Sequence, residues 1–225
     1  MKNKVISIER AVDFISDGMS VMIGGFAQTG SPRHLIRELS RKNVKNLHTI
    51  SDDLGVADHG FEETICRLID NDQICDAKCC FIGQNPQASK LYMEGKLPIE
   101  FIPMGTFIER IRCGGNGLGG FLTKTGVGTL VEEGKTTITI DGEKYLIERP
   151  IHADVALVKA YIADTMGNAI FKYTAQNHNG IMATAADTVI LEAEKVVDAG
   201  ELEPDQIQLP GIFVDYVVEA PEDIL

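Results

Sequence analysis

Apolar positions along the first half of the chain switch between two periods. Val5, Ile8, Ala11, Val12 and Ile15 recur at helical spacing until Asp17-Gly18 breaks the pattern, which predicts a helix over 5–18. Met19 to Ile23 is short, apolar and partly β-branched, and it halts at Gly24-Gly25, as a buried strand feeding a glycine loop does. Pro32 suits the first turn of a following helix. The alternation then repeats as helix 33–42, strand 47–51, helix 62–71, strand 78–83, helix 86–94 and strand 98–102. Strands separated by helices predict parallel βαβ units.

MGTFIERIRC (104–113) reads as one more helix, after which the texture changes to the glycine-dense CGGNGLGGFLTKTGVGTL. In TTITIDGEKYLIE, Asp141-Gly142 separates two alternating segments and predicts a β-hairpin. The final third adds apolar strands over 154–163, 188–193 and 212–218, with a small-residue helix at 181–186. No internal repeat, low-complexity tract or Pro/Ser-rich linker interrupts them. The expectation is one α/β domain over 1–225, a mostly parallel open sheet flanked by helices and carrying a β-hairpin insertion.

Composition narrows the function classes. With 44% apolar and 24% charged residues the chain matches ordinary globular proteins, which excludes disorder and fibrous classes. No apolar run approaches the roughly 18 to 20 residues of a membrane span, and MKNKVISIERAVDF is too charged for a signal-peptide core. Cys66, Cys75, Cys79, Cys80 and Cys113 are an odd set without a CxxC pair, as expected in a reducing compartment. The expected address is therefore the cytoplasm, without membrane contact. A net charge of −12 argues against nucleic acid, so an anionic ligand needs local donors, such as backbone amides at a helix start.

Several motifs fail on context. Gly115-Asn116-Gly117-Leu118-Gly119-Gly120 satisfies GxGxxG, but it lacks the preceding strand and following helix that a dinucleotide site needs. Gly134-Lys135-Thr136 resembles the end of a P-loop, yet five residues separate Gly128 from Gly134 where the pattern has four. Cys75, Cys79 and Cys80 lie on a strand whose adjacent residues point to opposite faces, so they read as structural thiols rather than metal ligands. His34, His48, His59, His152 and His178 show no HExxH spacing, and no GxSxG elbow exists. No metal site and no nucleophile are expected.

DGMSVMIGGFAQTGSP (17–32) is the informative segment. A strand ending in Gly24-Gly25, a loop closing at Gly30 and a helix opening at Pro32 let backbone approach a bulky ligand and aim free amides at it. Three glycines with a fixed proline favour a binding loop over a packing turn. The binding residues are then Gly24, Gly25, Phe26, Ala27, Gln28, Thr29 and Gly30.

The same segment resembles the signature of family I CoA-transferases, an Asp-Gly pair, three apolar residues, Gly-Gly-Phe, three variable residues, Gly, one variable residue and Pro. The positions here are Asp17, Gly18, Val21 to Ile23, Gly24, Gly25, Phe26, Gly30 and Pro32. The likeness continues through GTFIERIRCGGNGLGGFLTKTGVGTLVEEGK, DVALVKAYIADTMGNAIF, MATAADTVILEAE and LPGIFVDYVV. It implies the α subunit of a cytoplasmic enzyme, an α2β2 heterotetramer by family expectation. That enzyme moves CoA between an acyl-CoA and a free carboxylate, commonly acetate, butyrate or acetoacetate. CoA is then a substrate rather than a resident cofactor, and residues 24–30 are assigned to it. The family's Ser-Glu-Asn-Gly segment, whose glutamate attacks the thioester, is absent from this sequence. The resemblance therefore places no catalytic nucleophile in this chain and leaves that glutamate to a β subunit.

Two departures touch the implied substrate pocket of Asp52, Met104, Gly115 and Gly117. Ser51-Asp52-Asp53 stands where similar sequences have Ser-Asn, and Pro103-Met104-Gly105-Thr106 where they have Pro-Gln-Gly-Thr. Asn to Asp removes a donor and adds charge, while Gln to Met leaves a soft apolar contact. Asp52 could pair with an amino-substituted acid, or it could cap a turn. Gly114 to Gly120 could supply backbone donors for a developing oxyanion. Val56 to Glu63 is about four residues longer than in similar sequences, and Glu109-Arg110 suits a structural ion pair. Two other readings stay open, a non-catalytic acyl-CoA binding module of the same origin and a sugar-phosphate isomerase on a related fold.

Overall fold

Residues 20–23 alternate their side chains between two helical layers, and the rest of the molecule is arranged about that strand. The computed structural model describes residues 3–27, 29–56 and 64–220. Its first half runs α1 (Ile8–Val12), β1 (Ser20–Ile23), α2 (Arg33–Arg41), β2 (Leu47–Ile50), α3 (Ile65–Asp70), β3 (Ile74–Cys79), α4 (Pro86–Met93), β4 (Ile99–Phe101) and α5 (Met104–Gly115). Three strands follow, β5 (Phe121–Thr123), β6 (Thr137–Ile140) and β7 (Glu143–Glu148), and pair antiparallel in a separate small sheet. The chain closes with β8 (Ala153–Asp164), β9 (Ala169–Ile170), α6 (Asn179–Met182), β10 (Ala186–Val197) and β11 (Tyr216–Glu219).

The main sheet has the order β11-β10-β8-β1-β2-β3-β4, parallel throughout, with β9 added antiparallel to β8. The chain fills one flank from β1 to β4, then crosses to the other side of β1 to lay down β8. That reversal makes a topological switch point at β1 and β8, beyond whose carboxyl ends open α/β sheets bind ligands. Val21, Ile23, Leu47 and Leu157 pack against α1 to α4, through Val12, Leu35, Leu39, Leu68 and Ala88. Met22, Ile50, Ala156 and Val158 pack against Phe107 and Ile111 of α5 and Met182 of α6. Burial of each large apolar side chain contributes about 1.5–3 kcal/mol, so both layers are held firmly.

The hairpin forms as expected, with Asp141 at φ 51° and Gly142 at φ 81°, the two left-handed positions of a type I′ turn. Elsewhere the boundaries move. Only Ile8–Val12 of the 5–18 helix forms, capped by Ser7 Oγ, and Val5 instead bridges Val217 beside β11. The strand expected over 78–83 is Ile74–Cys79, because Asp76 and Lys78 break the apolar run that the sequence pattern follows. The helix expected at 181–186 is the single turn Asn179–Met182, and Ala186 already starts β10. Residues 211–213 turn as a short 3-10 helix before β11. Among the described residues no helix is long and apolar enough to cross a membrane.

Candidate functional site

Four loops leave the carboxyl ends of adjacent parallel strands, residues 24–30 after β1, 51–53 after β2, 80–81 after β3 and 103–104 after β4. The topology thus brings the glycine loop, Asp52 and Met104 to one end of the sheet. Gln28 and residues 57–63, which include most of the longer segment, lie outside the described residues.

The glycine loop is built around bonds to its own protein. Phe26 and Thr29 exchange backbone hydrogen bonds of 3.1 and 3.0 Å, and Gly24 N–H donates to Leu157 O at 2.9 Å. Ala27, at φ 52°, donates its N–H to Asp53 Oδ2 at 2.6 Å. The amides of Gly24, Phe26, Ala27 and Thr29, expected to be free for a ligand, are therefore already engaged. The start of α2 is engaged too. Glu192 of β10, fully buried, accepts Leu35 N–H at 2.9 Å and lies 3.2 Å from His34 Nδ1, so the helix dipole meets an internal carboxylate.

Asn179, at the start of α6, supports the loop from below. Its Nδ2 donates to Gly30 O at 2.9 Å and Ala175 O at 2.8 Å, and its Oδ1 accepts Lys159 N–H at 2.9 Å. A Cβ on Gly24 would stand 1.9 Å from Asn179 Oδ1, and one on Gly30 2.7 Å from Asn179 Nδ2. Those glycines are required by the side chain packed against them. Sequence reasoning missed Asn179 and its neighbours; the polar run Gln176-Asn177-His178-Asn179 between apolar segments is the signal that marks them.

His178 sits beneath the loop between two rings, Phe26 stacked at 6.2 Å and Phe107 edge-on at 6.0 Å. Its Nε2 lies 3.6 Å from Asp52 Oδ1. Asp52 Oδ1 and His178 Nδ1 are, among the described residues, the buried side-chain polar atoms left without a hydrogen-bond partner. Such atoms are uncommon in folded proteins and concentrate at functional sites. Burial pushes the Asp52 carboxyl above its ordinary value, against the opposing pull of His178. Burial likewise holds the His178 imidazole below its ordinary value, with Asp52 pulling upward. The Cys80 thiol is pushed up by burial and by Asp52, and the Cys79 thiol to about 12 by burial, so neither is a ready nucleophile.

Asp52 does not cap a turn; Asp53 does, accepting Gly55 N–H at 2.7 Å through Oδ1. Asp52 is only 3% exposed and already faces a histidine, so an amino-substituted substrate is not needed to explain it. Met104 opens α5 and is 43% exposed at the same end of the sheet. Gly115 and Gly117 are not with it. Gly115 closes the 12-residue α5 and Gly117 follows its Asn116 cap, about 16 Å away by helical rise, at the amino ends of the strands. There a Cβ on Gly115 would meet Thr184 Oγ1 at 2.4 Å and one on Gly114 would meet Ile151 O at 2.0 Å. Close packing explains Gly114 and Gly115, and the expected oxyanion donors at 114–120 are separated from the site. Glu109 pairs with Arg112 at 3.2 Å and Arg110 with Glu100 at 2.6 Å, so Glu109 and Arg110 are not each other's partners.

A cavity of about 520 Å³ adjoins the loop, lined by Thr29, Gly30, Arg33, Lys159, Lys172 and Tyr173 among others. Lys172 Nζ lies 4.7 Å from the centre of the Tyr161 ring, and Lys159 Nζ lies 3.5 Å from Glu194 Oε1. Local cations thus gather beside the glycine loop of an acidic protein, a setting suited to an anionic ligand.

A family model described as coenzyme A transferase matches residues 5–220. The chain is 46% identical over 221 residues to the acetoacetyl-CoA:acetate/butyrate CoA transferase alpha subunit of Clostridium acetobutylicum, covering 98% of this chain and 100% of that protein. It is 42% identical over 222 residues to the acetate CoA-transferase subunit alpha of Escherichia coli K12, covering 99% of each. Among solved structures, an acyl-CoA transferase of E. coli O157:H7 in a thioester complex with CoA matches at a TM-score of 0.88 and 24% identity. That match covers 99% of this chain and 48% of the other, so this chain spans about half of that polypeptide.

Proposed function

The chain belongs to the coenzyme A transferase family, and from that premise we propose that it is the α subunit of a two-subunit enzyme moving CoA between a short-chain acyl-CoA and a free carboxylic acid. The observation that carries this reading is a loop site whose carboxylates, among the described residues, are each taken up within the fold. Asp53 is engaged by two backbone amides, Asp52 faces His178, and Glu192 is buried at the start of α2. The chemistry needs one. A glutamate attacks the thioester carbonyl and expels CoA thiolate, leaving a mixed anhydride; the thiolate then attacks the glutamyl carbonyl and releases the first acid. The acceptor acid reverses both steps. The absence of a Ser-Glu-Asn-Gly segment from this sequence assigns that glutamate to a β subunit.

This chain's contribution is positioning. The pinned loop 24–30 holds the pantetheine end of CoA by shape, Phe26 covers its edge, and Met104 borders the acyl group. Lys159, Lys172 and Arg33 in the neighbouring cavity face the phosphates, and about 520 Å³ is within the size range of small-molecule sites. Acetate, butyrate and acetoacetate are the substrates proposed, in keeping with the names of the relatives. The proposed assembly is an α2β2 heterotetramer in the cytoplasm, with residues 1–225 as one α/β unit.

The test is co-expression with a candidate β chain carrying Ser-Glu-Asn-Gly, followed by CoA transfer over short-chain and 3-oxo acids. Transfer is expected with the pair and lost when the partner glutamate is changed to alanine. Robust transfer by this chain alone overturns the division of labour. A pair that binds acyl-CoA without transfer supports the binding-module reading instead.

A further inference from the structure

Neighbouring residues on a regular strand project to opposite faces, which is why Cys75 reads in the sequence as a structural thiol. β3 is not regular there. Leu47 of β2 pairs with Ile74, but His48 pairs with Asp76, so β3 carries one extra residue at this point and that residue is Cys75. Such a bulge re-aims side chains. Cys75 and Asp76 both reach His48: Cys75 Sγ is 3.5 Å from His48 Nδ1 and 3.8 Å from Asp76 Oδ2, and His48 Nδ1 is 2.6 Å from Asp76 Oδ2. A thiol, an imidazole and a carboxylate thus converge within 4.8 Å of one another.

We propose that His48, Cys75 and Asp76 form a binding site for a borderline-soft divalent cation of the zinc class. Donors bonded to one tetrahedral ion at roughly 2.0–2.3 Å lie roughly 3.3–3.7 Å apart. The Cys75–His48 spacing of 3.5 Å lies in that range and the Cys75–Asp76 spacing of 3.8 Å just above it. The third, the His48–Asp76 hydrogen bond, opens on loading: the imidazole proton moves to Nε2, and the Cys75 thiol proton leaves to solvent as the thiolate–metal bond forms. One sulfur, one nitrogen and one oxygen suit zinc or cobalt and not magnesium or calcium, which take oxygen ligands. A cavity of about 300 Å³ lined by His48, Asp76 and His152 leaves the fourth position open to water. Lys78 and Arg110 also line it, but both pair with Glu100, at 3.7 and 2.6 Å.

The site lies at the amino ends of β2 and β3, while the glycine loop leaves the carboxyl ends, about 13 Å away along a four-residue strand. An ion here clamps β2 to β3 and does not touch the acyl group. The site is thus independent of CoA transfer.

The test is titration of the chelator-treated full chain with Co²⁺, read by the thiolate-to-cobalt charge-transfer band and by competition with Zn²⁺. One cobalt per chain is expected, with the band lost in Cys75→Ser and retained in Cys113→Ser. His48→Gln, a change at an exposed residue, is expected to weaken binding about 100-fold. Circular dichroism checks that each variant is folded. A wild-type chain without a saturable thiolate band, or a band that survives Cys75→Ser or full affinity in His48→Gln, overturns the proposal.

Discussion

Segments 24–30 and 114–120 are both rich in glycine, and nothing in their composition separates them. What stands where each missing Cβ would be does separate them. At Gly24 and Gly30 it is the side-chain amide of Asn179, a group that also binds Gly30 O, Ala175 O and Lys159 N. At Gly114 and Gly120 it is a backbone carbonyl, Ile151 O at 2.0 Å and Glu148 O at 2.3 Å. The first loop is held by a replaceable polar network at the carboxyl ends of the parallel strands, the end at which open α/β sheets bind ligands, and the second packs on backbone at the opposite end. Glycine content therefore marks close approach in both, and only the identity of the approaching group tells a site from a joint.

Five substitutions break or sharpen that contrast. Gly24→Ala drives a methyl into Asn179 and is expected to cost about 3 kcal/mol and more than about 100-fold in CoA transfer by the assembled enzyme. Asn179→Ala leaves buried Lys159 N–H and Gly30 O unpaired, for about 3 kcal/mol in urea unfolding. Because it also clears the space, the double variant should be less destabilised than the sum of the two. Gly114→Ala should cost about 2–3 kcal/mol, yet the folded protein should keep its KM for acyl-CoA. A raised KM there would return 114–120 to the site.

Asp52→Asn tests the pair beneath the loop through pH. Burial raises the Asp52 carboxyl above its ordinary 3.8, so between 3.8 and the raised value the folded protein holds more protons than the unfolded chain. Stability conferred by that group falls as pH rises through the window. The variant should therefore gain on wild type above the window and lose the gain as pH falls to 3.8. His178 acts oppositely, since its lowered value removes stability as pH falls below 6.5. The smallest effect is expected at Gly117→Ala, where φ is +66° and no atom lies within 4 Å of the added carbon, about 1 kcal/mol by thermal unfolding.

Much of this protein was legible from local pattern. The βαβ rhythm, the Asp141-Gly142 hairpin and the glycine loop behind β1 depend on periodicity and backbone conformation over a few residues, and those act on the chain wherever it goes. Asn179, His178 and Glu192 were not legible, because each meets the loop or α2 from more than 120 residues away, by way of β8 lying beside β1 and β10 beside β8. The engaged amides of the loop were hidden for the same reason: a free N–H and one bonded to Asp53 have the same sequence. Likewise, Cys75 faces His48 only because β2 and β3 pair with one residue to spare. Sequence alone determined which segments are helix, strand and turn, through forces that decay within a few residues. Tertiary structure decided which polar groups fill the spaces between them, since burial leaves each such group only the partner that strand order sets against it.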